Sequence, residues 1–110
     1  GRDAAAAQRI VDDARMVTEA GAALLVLECV PRALAADITA KLPIPVIGIG
    51  AGGGTDAQVL VMHDMLGMTP RPPRFVQNFL SGGRDIAGAF AAYAAAVRDG
   101  SFPQPEHGFD

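Results

Sequence analysis

Tryptophan is absent from this chain, and tyrosine and cysteine occur once each. The single cysteine, Cys29, excludes an internal disulfide and fits a reducing cytoplasm. Lysine and arginine together number nine against 12 acids, for a net charge of −3. The basic residues are scattered, so no stripe marks a nucleic-acid partner. No apolar run approaches the roughly 20 residues that span a bilayer, and no signal peptide is visible. An initiator methionine is also missing: the chain opens at Gly1 and is expected to be a fragment or a processed product. What remains is a chain of 110 residues, half of them hydrophobic and 13 of them glycine. That is enough for one small domain.

Asp3 can cap a helix that runs to about Ala20, with Ala7, Ile10, Val11, Ala14 and Val17 on one stripe. Gly21 is placed to stop it in a left-handed conformation. Ala23 to Cys29 then reads as a strand, and its Leu24 to Leu27 run is the pattern of a strand buried on both faces of a parallel sheet. Pro31 suits the first turn of a second helix, to about Lys41, burying Leu34, Ile38 and Leu42. Pro45 to Gly50 reads as a second buried strand and runs into the turn Ala51-Gly52-Gly53-Gly54. Gln58 to Met62 reads as a third strand, ending near His63 and Asp64. Phe75 to Leu80 is expected to be a short helix. Ile86, Phe90, Tyr93 and Val97 space a final helix, with Asp85 and Arg98 suiting its dipole and Gly100 and Pro103 ending it. The tail from Ser101 reads as irregular. This order favours parallel α/β connectivity, although the stretch between the second and third strands barely has room for a helix. Three parallel strands cannot close a barrel and leave two open edges, so the rest of the sheet is expected elsewhere.

Glu28 is the leading candidate for chemistry. It stands at the carboxyl end of a strand, where α/β folds build their sites. A carboxylate buried there is costly unless paired or facing a cavity, and burial would raise its pKa toward the range of a general base. The plain alternative is a glutamate on the sheet rim. Gly48, Gly50 and Gly52 are weaker candidates: their backbone N–H groups could approach an anion or a flat ligand, or they could simply make a tight turn. No Gly-Lys-Ser/Thr follows, so this is no P-loop. His63 beside Asp64 lacks metal-site spacing and reads as structural. Cys29 reads as a small buried hydrophobe, and His107 as solvated unless the tail folds over a site.

Three strings carry a more specific signal: V-L-E-C-V-P (Val26 to Pro31), I-P-V-I-G-I-G-A-G (Ile44 to Gly52) and Q-V-L-V-M-H-D-M-L-G (Gln58 to Gly67). In this order and spacing they resemble the ketopantoate hydroxymethyltransferase family. The tail G-S-F-P-Q-P-E-H-G-F is similar to the family's C-terminus, which typically has serine where Gly108 stands. Gly1-Arg2 resembles the end of its mid-chain V-Q-G-R stretch, so the likeness covers essentially the whole chain. The resemblance implies a (β/α)8 TIM barrel of which residues 1–110 are the C-terminal part, carrying the last three strands. It implies transfer of a one-carbon unit from 5,10-methylenetetrahydrofolate to 3-methyl-2-oxobutanoate, a Mg2+ ion that chelates the oxo acid, and Glu28 as the acid that moves its proton. It also implies a cytoplasmic homo-oligomer, often a decamer. The family's two metal-binding aspartates, its active-site lysine, and a further histidine and glutamate belong to the N-terminal part. Lys41, the only lysine here, does not match, so no metal ligand is expected in this chain.

Two rivals stand beside that reading. One is a Mg2+-dependent barrel enzyme of the phosphoenolpyruvate mutase and isocitrate lyase type, against which the V-L-E-C-V-P and I-G-I-G-A-G strings argue. The other is a half-barrel that serves only in assembly. On the leading reading, the 110-residue chain alone forms no ketopantoate from methylenetetrahydrofolate, 3-methyl-2-oxobutanoate and Mg2+. Turnover by the isolated chain in that assay would refute it.

Overall fold

The computed structural model describes all 110 residues. Helix α1 spans Ala4–Glu19, and the Asp3 side chain accepts the Ala6 N–H at its start. At its end the Gly21 N–H reaches the Thr18 carbonyl and the Ala22 N–H reaches that of Val17, with Gly21 at φ 102°. This is the double closure that a left-handed glycine permits. Strand β1 (Leu25–Glu28) follows, then α2 (Arg32–Lys41), β2 (Val46–Ile49) and β3 (Ala57–Gln58). The sheet is parallel throughout in the order β1-β2-β3, with Leu27 opposite Gly48 and Glu28 opposite Ile49.

Strand alternation gives this sheet two unlike faces. Leu25, Leu27 and Val46 point toward α1 and α2, where Leu27, Val46, Ala14, Ala35 and Ile38 form the first core. Ile10, Val11, Leu34 and Leu42 pack around it, as the helical stripes predict, whereas Val17 of the first stripe is exposed. The opposite face is open: Leu24 is 51% exposed and Val26 49%. The expectation that β1 is buried on both faces is therefore corrected. The helices cover one face; on the other, Leu24, Val26 and Glu28 of the β1 side are exposed, while Ile49 of β2, opposite Glu28, is buried.

The link from β2 to β3 contains no helix. Residues 50–56 fold back so that the Asp56 N–H reaches the Val46 carbonyl and its carboxylate accepts the Val46 N–H at 2.8 Å. The loop lies directly on α2. A Cβ on Gly52 would stand 2.5 Å from the Arg32 Cβ, and one on Gly54 would stand 2.7 Å from the Ala36 Cβ. Backbone packed on a helix thus replaces the usual crossover.

Past Gln58 the chain departs from the sequence reading. The last ladder bond is Val59 N–H to the Gly48 carbonyl, after which Met62–Met65 is a short helix, α3. A short apolar run does not distinguish a strand from a buried helical turn. Here the second core decides, because it needs Met65 and Leu66 against Phe79, Ala89 and Phe102. Residues 75–80 are not helical. Phe79 donates its N–H to the Met65 carbonyl of α3, and Leu80 donates to the Asn78 side chain. The four-residue spacing of Phe75 and Phe79 imitates a helix, but the backbone bonds leave the segment. Helix α4 (Ile86–Asp99) has Asp85 as N-cap and Gly100 at φ 79° as its stop. Phe79, Tyr93 and Phe102 meet edge to face beneath it, with centroids 5.4 to 5.9 Å apart. The Tyr93 hydroxyl is buried there without a partner, and burial raises its pKa.

The tail is ordered rather than irregular. Pro105–His107 forms a 3-10 turn in which His107 Nδ1 accepts the Gln104 N–H at 2.9 Å.

Gly52 combines φ 77° with contact against Arg32. Gly52→Ala is expected to destabilise the fold by about 1–3 kcal/mol. Urea denaturation of the variant checks this, and an unchanged midpoint would show that the loop is free to lift from α2.

Candidate active site

Glu28 is the last residue of β1 and lies opposite Ile49. Alternation places it with Val26 on the face away from the helices. Its side chain is exposed, and the chain's three salt bridges lie elsewhere. The buried carboxylate expected from the sequence is therefore corrected to an exposed one, because the β1 side of the face that carries it is uncovered. Its position at the carboxyl end of a parallel strand is as expected.

Cys29 continues the ladder by one bond, N–H to the Ile49 carbonyl, and then turns the chain with φ 53°. A non-glycine residue in the left-handed region is uncommon and concentrates at functional sites. The turn makes the link to α2 short: Val30 drops into the first core and Pro31 is the N-cap, one residue before the helix rather than in its first turn. Cys29 is exposed, which corrects its reading as a buried hydrophobe. Its sulfur is still partly desolvated. That burial raises the thiol pKa, and the neighbouring Glu28 charge raises it further.

The three candidate glycines have side-chain positions filled by the protein itself. A Cβ on Gly48 would meet Thr55 Oγ1 at 2.6 Å, and one on Gly50 would meet the Phe75 ring at 2.7 Å. Gly52 meets Arg32 in the same way. Gly48 pairs with Gln58 and Leu27, on the helix side of the sheet. Close packing thus accounts for the lack of side chains at all three.

His63 and Asp64 are not at a strand end. They lie in α3, where Asp64 accepts the Thr69 hydroxyl. His107 is half-buried rather than solvated, its ring 5.1 Å from that of Phe102. No three acids, histidines or cysteines come together in a group that could hold a metal ion.

Sequence reasoning missed a group of residues at the same end of the sheet. Arg32 opens α2, and its N–H donates to the Phe109 carbonyl at 2.8 Å. Its guanidinium pairs with Asp110 at 2.7 Å. Arg74 donates to the Gly108 carbonyl and lies 4.5 Å from the Phe109 ring centroid. Phe109 also meets Phe75, which packs on Gly50 at the end of β2. The one sequence cue was an aromatic residue, Phe109, inside a tail otherwise read as irregular.

A parallel α/β unit with an uncommitted carboxylate at the carboxyl end of a strand has the arrangement on which α/β enzymes build their sites. Comparison with known proteins makes this specific. The sequence profile of ketopantoate hydroxymethyltransferase matches residues 1–105, and the chain belongs to that family. A 3-methyl-2-oxobutanoate hydroxymethyltransferase of Halorhodospira halophila is 54% identical over 110 residues, covering 100% of this chain and 40% of the relative. Proteins of the same name from Psychrobacter arcticus and Xanthomonas axonopodis pv. citri are 57% and 58% identical, over 99% and 94% of this chain. The chain spans 43% and 39% of the length of those two relatives.

The raised thiol pKa predicts how Cys29 reacts. Alkylation by a neutral reagent should have its pH midpoint above that of an ordinary thiol, because the thiolate is the nucleophile. Glu28→Gln removes one of the two causes and should move the midpoint down. A midpoint unmoved by the substitution would show that the carboxylate and the thiol do not sense each other.

Proposed function

We propose that residues 1–110 are the C-terminal part of a (β/α)8 barrel whose whole forms ketopantoate from 3-methyl-2-oxobutanoate and 5,10-methylenetetrahydrofolate. The family match over nearly the entire chain supports this reading. So does the open sheet face, which has the apolar character of a surface made to be covered. In a closed barrel that face lies inside, and Glu28 stands at its carboxyl mouth.

The chemistry follows from the position of Glu28. C3 of the oxo acid lies next to a carbonyl, so losing its proton leaves an electron pair that the carbonyl delocalises. A Glu28 carboxylate oxygen takes that proton. Water breaks the two C–N bonds that hold the donor's methylene carbon, releasing it at the formaldehyde level and leaving tetrahydrofolate; C3 bonds to that carbon, and its oxygen takes up a proton to become the product's hydroxyl. An exposed, unpaired carboxylate at a strand end is free for this task, as an ion-paired one would not be. Closing the barrel would exclude bulk water from the site. Gly48, Gly50 and Gly52 lie in and just after β2, near the same mouth, and are proposed to shape it through close packing.

The residues of this chain do not by themselves fit a Mg2+ site, since Glu28 has no second acid or histidine grouped with it. The ligands of such an ion are proposed to lie outside these residues. The whole protein is proposed to be a cytoplasmic homo-oligomer, on the family pattern of decamers, with small-molecule substrates only. No helix here is long and apolar enough to cross a membrane. A barrel enzyme of the phosphoenolpyruvate mutase and isocitrate lyase type, acting on carbon–carbon or carbon–phosphorus bonds, finds no support in the three relatives described, each of which carries the hydroxymethyltransferase name.

Glu28→Gln in the full-length protein should lower kcat for ketopantoate formation by about 100-fold or more, since a positioned base contributes that much. Steady-state assay with the oxo acid and methylenetetrahydrofolate reads this directly. Wild-type turnover in the variant would leave the family standing and remove Glu28 from the chemistry.

A further inference from the structure

We infer that the segment Gly108–Asp110 is a latch that fixes the Glu28 turn, and that Arg32, Arg74 and Phe109 are its positioning residues. This rests on the reading of Glu28 as the proton-moving acid.

The argument begins with a deficit at the start of α2. The first N–H groups of a helix have no partner within it, and a side-chain oxygen at the N-cap usually supplies one. Here the N-cap is Pro31, which makes no side-chain cap bond. The Phe109 carbonyl fills the gap by accepting the Arg32 N–H at 2.8 Å. A residue distant in sequence thus does the work of the cap.

The carbonyl is held in place from several sides. Arg74 donates to the adjacent Gly108 carbonyl, and its cation lies over the Phe109 ring at 4.5 Å. Phe75 meets the same ring edge to face, with centroids 6.4 Å apart. Gly108 is buried, and a Cβ there would stand 3.6 Å from Arg32 Cδ. The Arg32–Asp110 pair is exposed and adds little by itself.

The latch acts close to the acid. Only Cys29, Val30 and Pro31 separate Glu28 from Arg32, and Cys29 holds a left-handed conformation that an L-residue adopts at a cost. Fixing Arg32 from the tail, Val30 from the first core and Cys29 N–H from Ile49 leaves the turn little freedom. The aim of the Glu28 carboxylate is then set from both ends. Misplacing a catalytic group by about 1 Å can cost up to about 100-fold in rate, so such a clamp has a kinetic consequence.

The test uses the full-length protein. Arg74 is exposed, so Arg74→Ala should leave the fold intact, and Phe109→Ala provides a second variant. Hydrogen exchange of the Arg32 amide reads the latch directly. Loss of solvent exchange at C3 of the oxo acid in D2O, without folate, reads the proton step. Arg74→Ala is expected to raise Arg32 amide exchange and to lower C3 exchange and kcat by about 10-fold, with KM for the oxo acid within about twofold. Arg74→Lys, which keeps the cation over Phe109, should recover most of the loss. Unchanged Arg32 exchange in both variants overturns the latch. Faster Arg32 exchange with unchanged kcat and C3 exchange overturns its positioning role. Glu28→Gln run in parallel separates the two readings: wild-type C3 exchange in that variant removes the acid and this role with it, while the amide still reports the clamp.

Discussion

Everything in this structure depends on one packing decision: Leu27 of β1 and Val46 of β2, on the same face of the first parallel pair, are buried under α1 and α2. Burying two such side chains contributes about 3–6 kcal/mol. Because strand side chains alternate strictly, sending these two to the helix side sends Val26 and Glu28 to the other. A one-residue slip would bury Glu28 among aliphatic side chains and expose the leucines. The apolar side chains therefore fix the position of the acid without touching it.

The second core is a separate construction. Phe79, Tyr93 and Phe102 form an aromatic triangle that joins α3 and α4 to the tail, with its own buried residues and none of the first core's. The two halves meet at the carboxyl end of the sheet, where Phe75 covers Gly50 and the tail reaches Arg32, and where Gly53 approaches Pro103. The elongated shape, 44 by 27 by 22 Å, follows from two cores in place of one. The long-range ties that bear on the Glu28 turn come from β2, through Ile49, and from the tail, through Phe109.

The parts legible in the sequence were those where a local rule and the global packing agree. Asp3, Gly21, Asp85 and Gly100 punctuate α1 and α4 by capping chemistry that needs no tertiary partner. The aliphatic runs before Glu28 and after Pro45 gave β1 and β2. Glu28 was legible as a strand-end acid because the run that precedes it is so plainly a strand. Its exposure was not legible, because burial belongs to whatever covers the sheet. The run Val59 to Met62 was misread because four apolar residues fit a strand and a buried turn equally, and only the demand of Phe79 for Met65 and Leu66 separates them. Residues 75–80 and the tail were misread for a related reason: their backbone partners are Met65 and Arg32, distant in sequence and invisible to periodicity. The left-handed Cys29 left no local sign.

The helix-free return from β2 to β3 has one more consequence. Its length is pinned at both ends, by Asp56 on the Val46 N–H and by Gly52 and Gly54 lying on α2. Most surface loops absorb insertions at small entropic cost, since closure entropy grows slowly with length. This one has no slack to absorb them, because an added residue would lift glycine backbone off a helix and withdraw a carboxylate from a strand. The exposed stretches at 70–74 and 81–85 carry no comparable pins on the sheet, apart from Arg74. Length variation among relatives should therefore collect in those stretches and spare residues 50–56, so that a connection with no regular structure is the one whose spacing is most tightly kept.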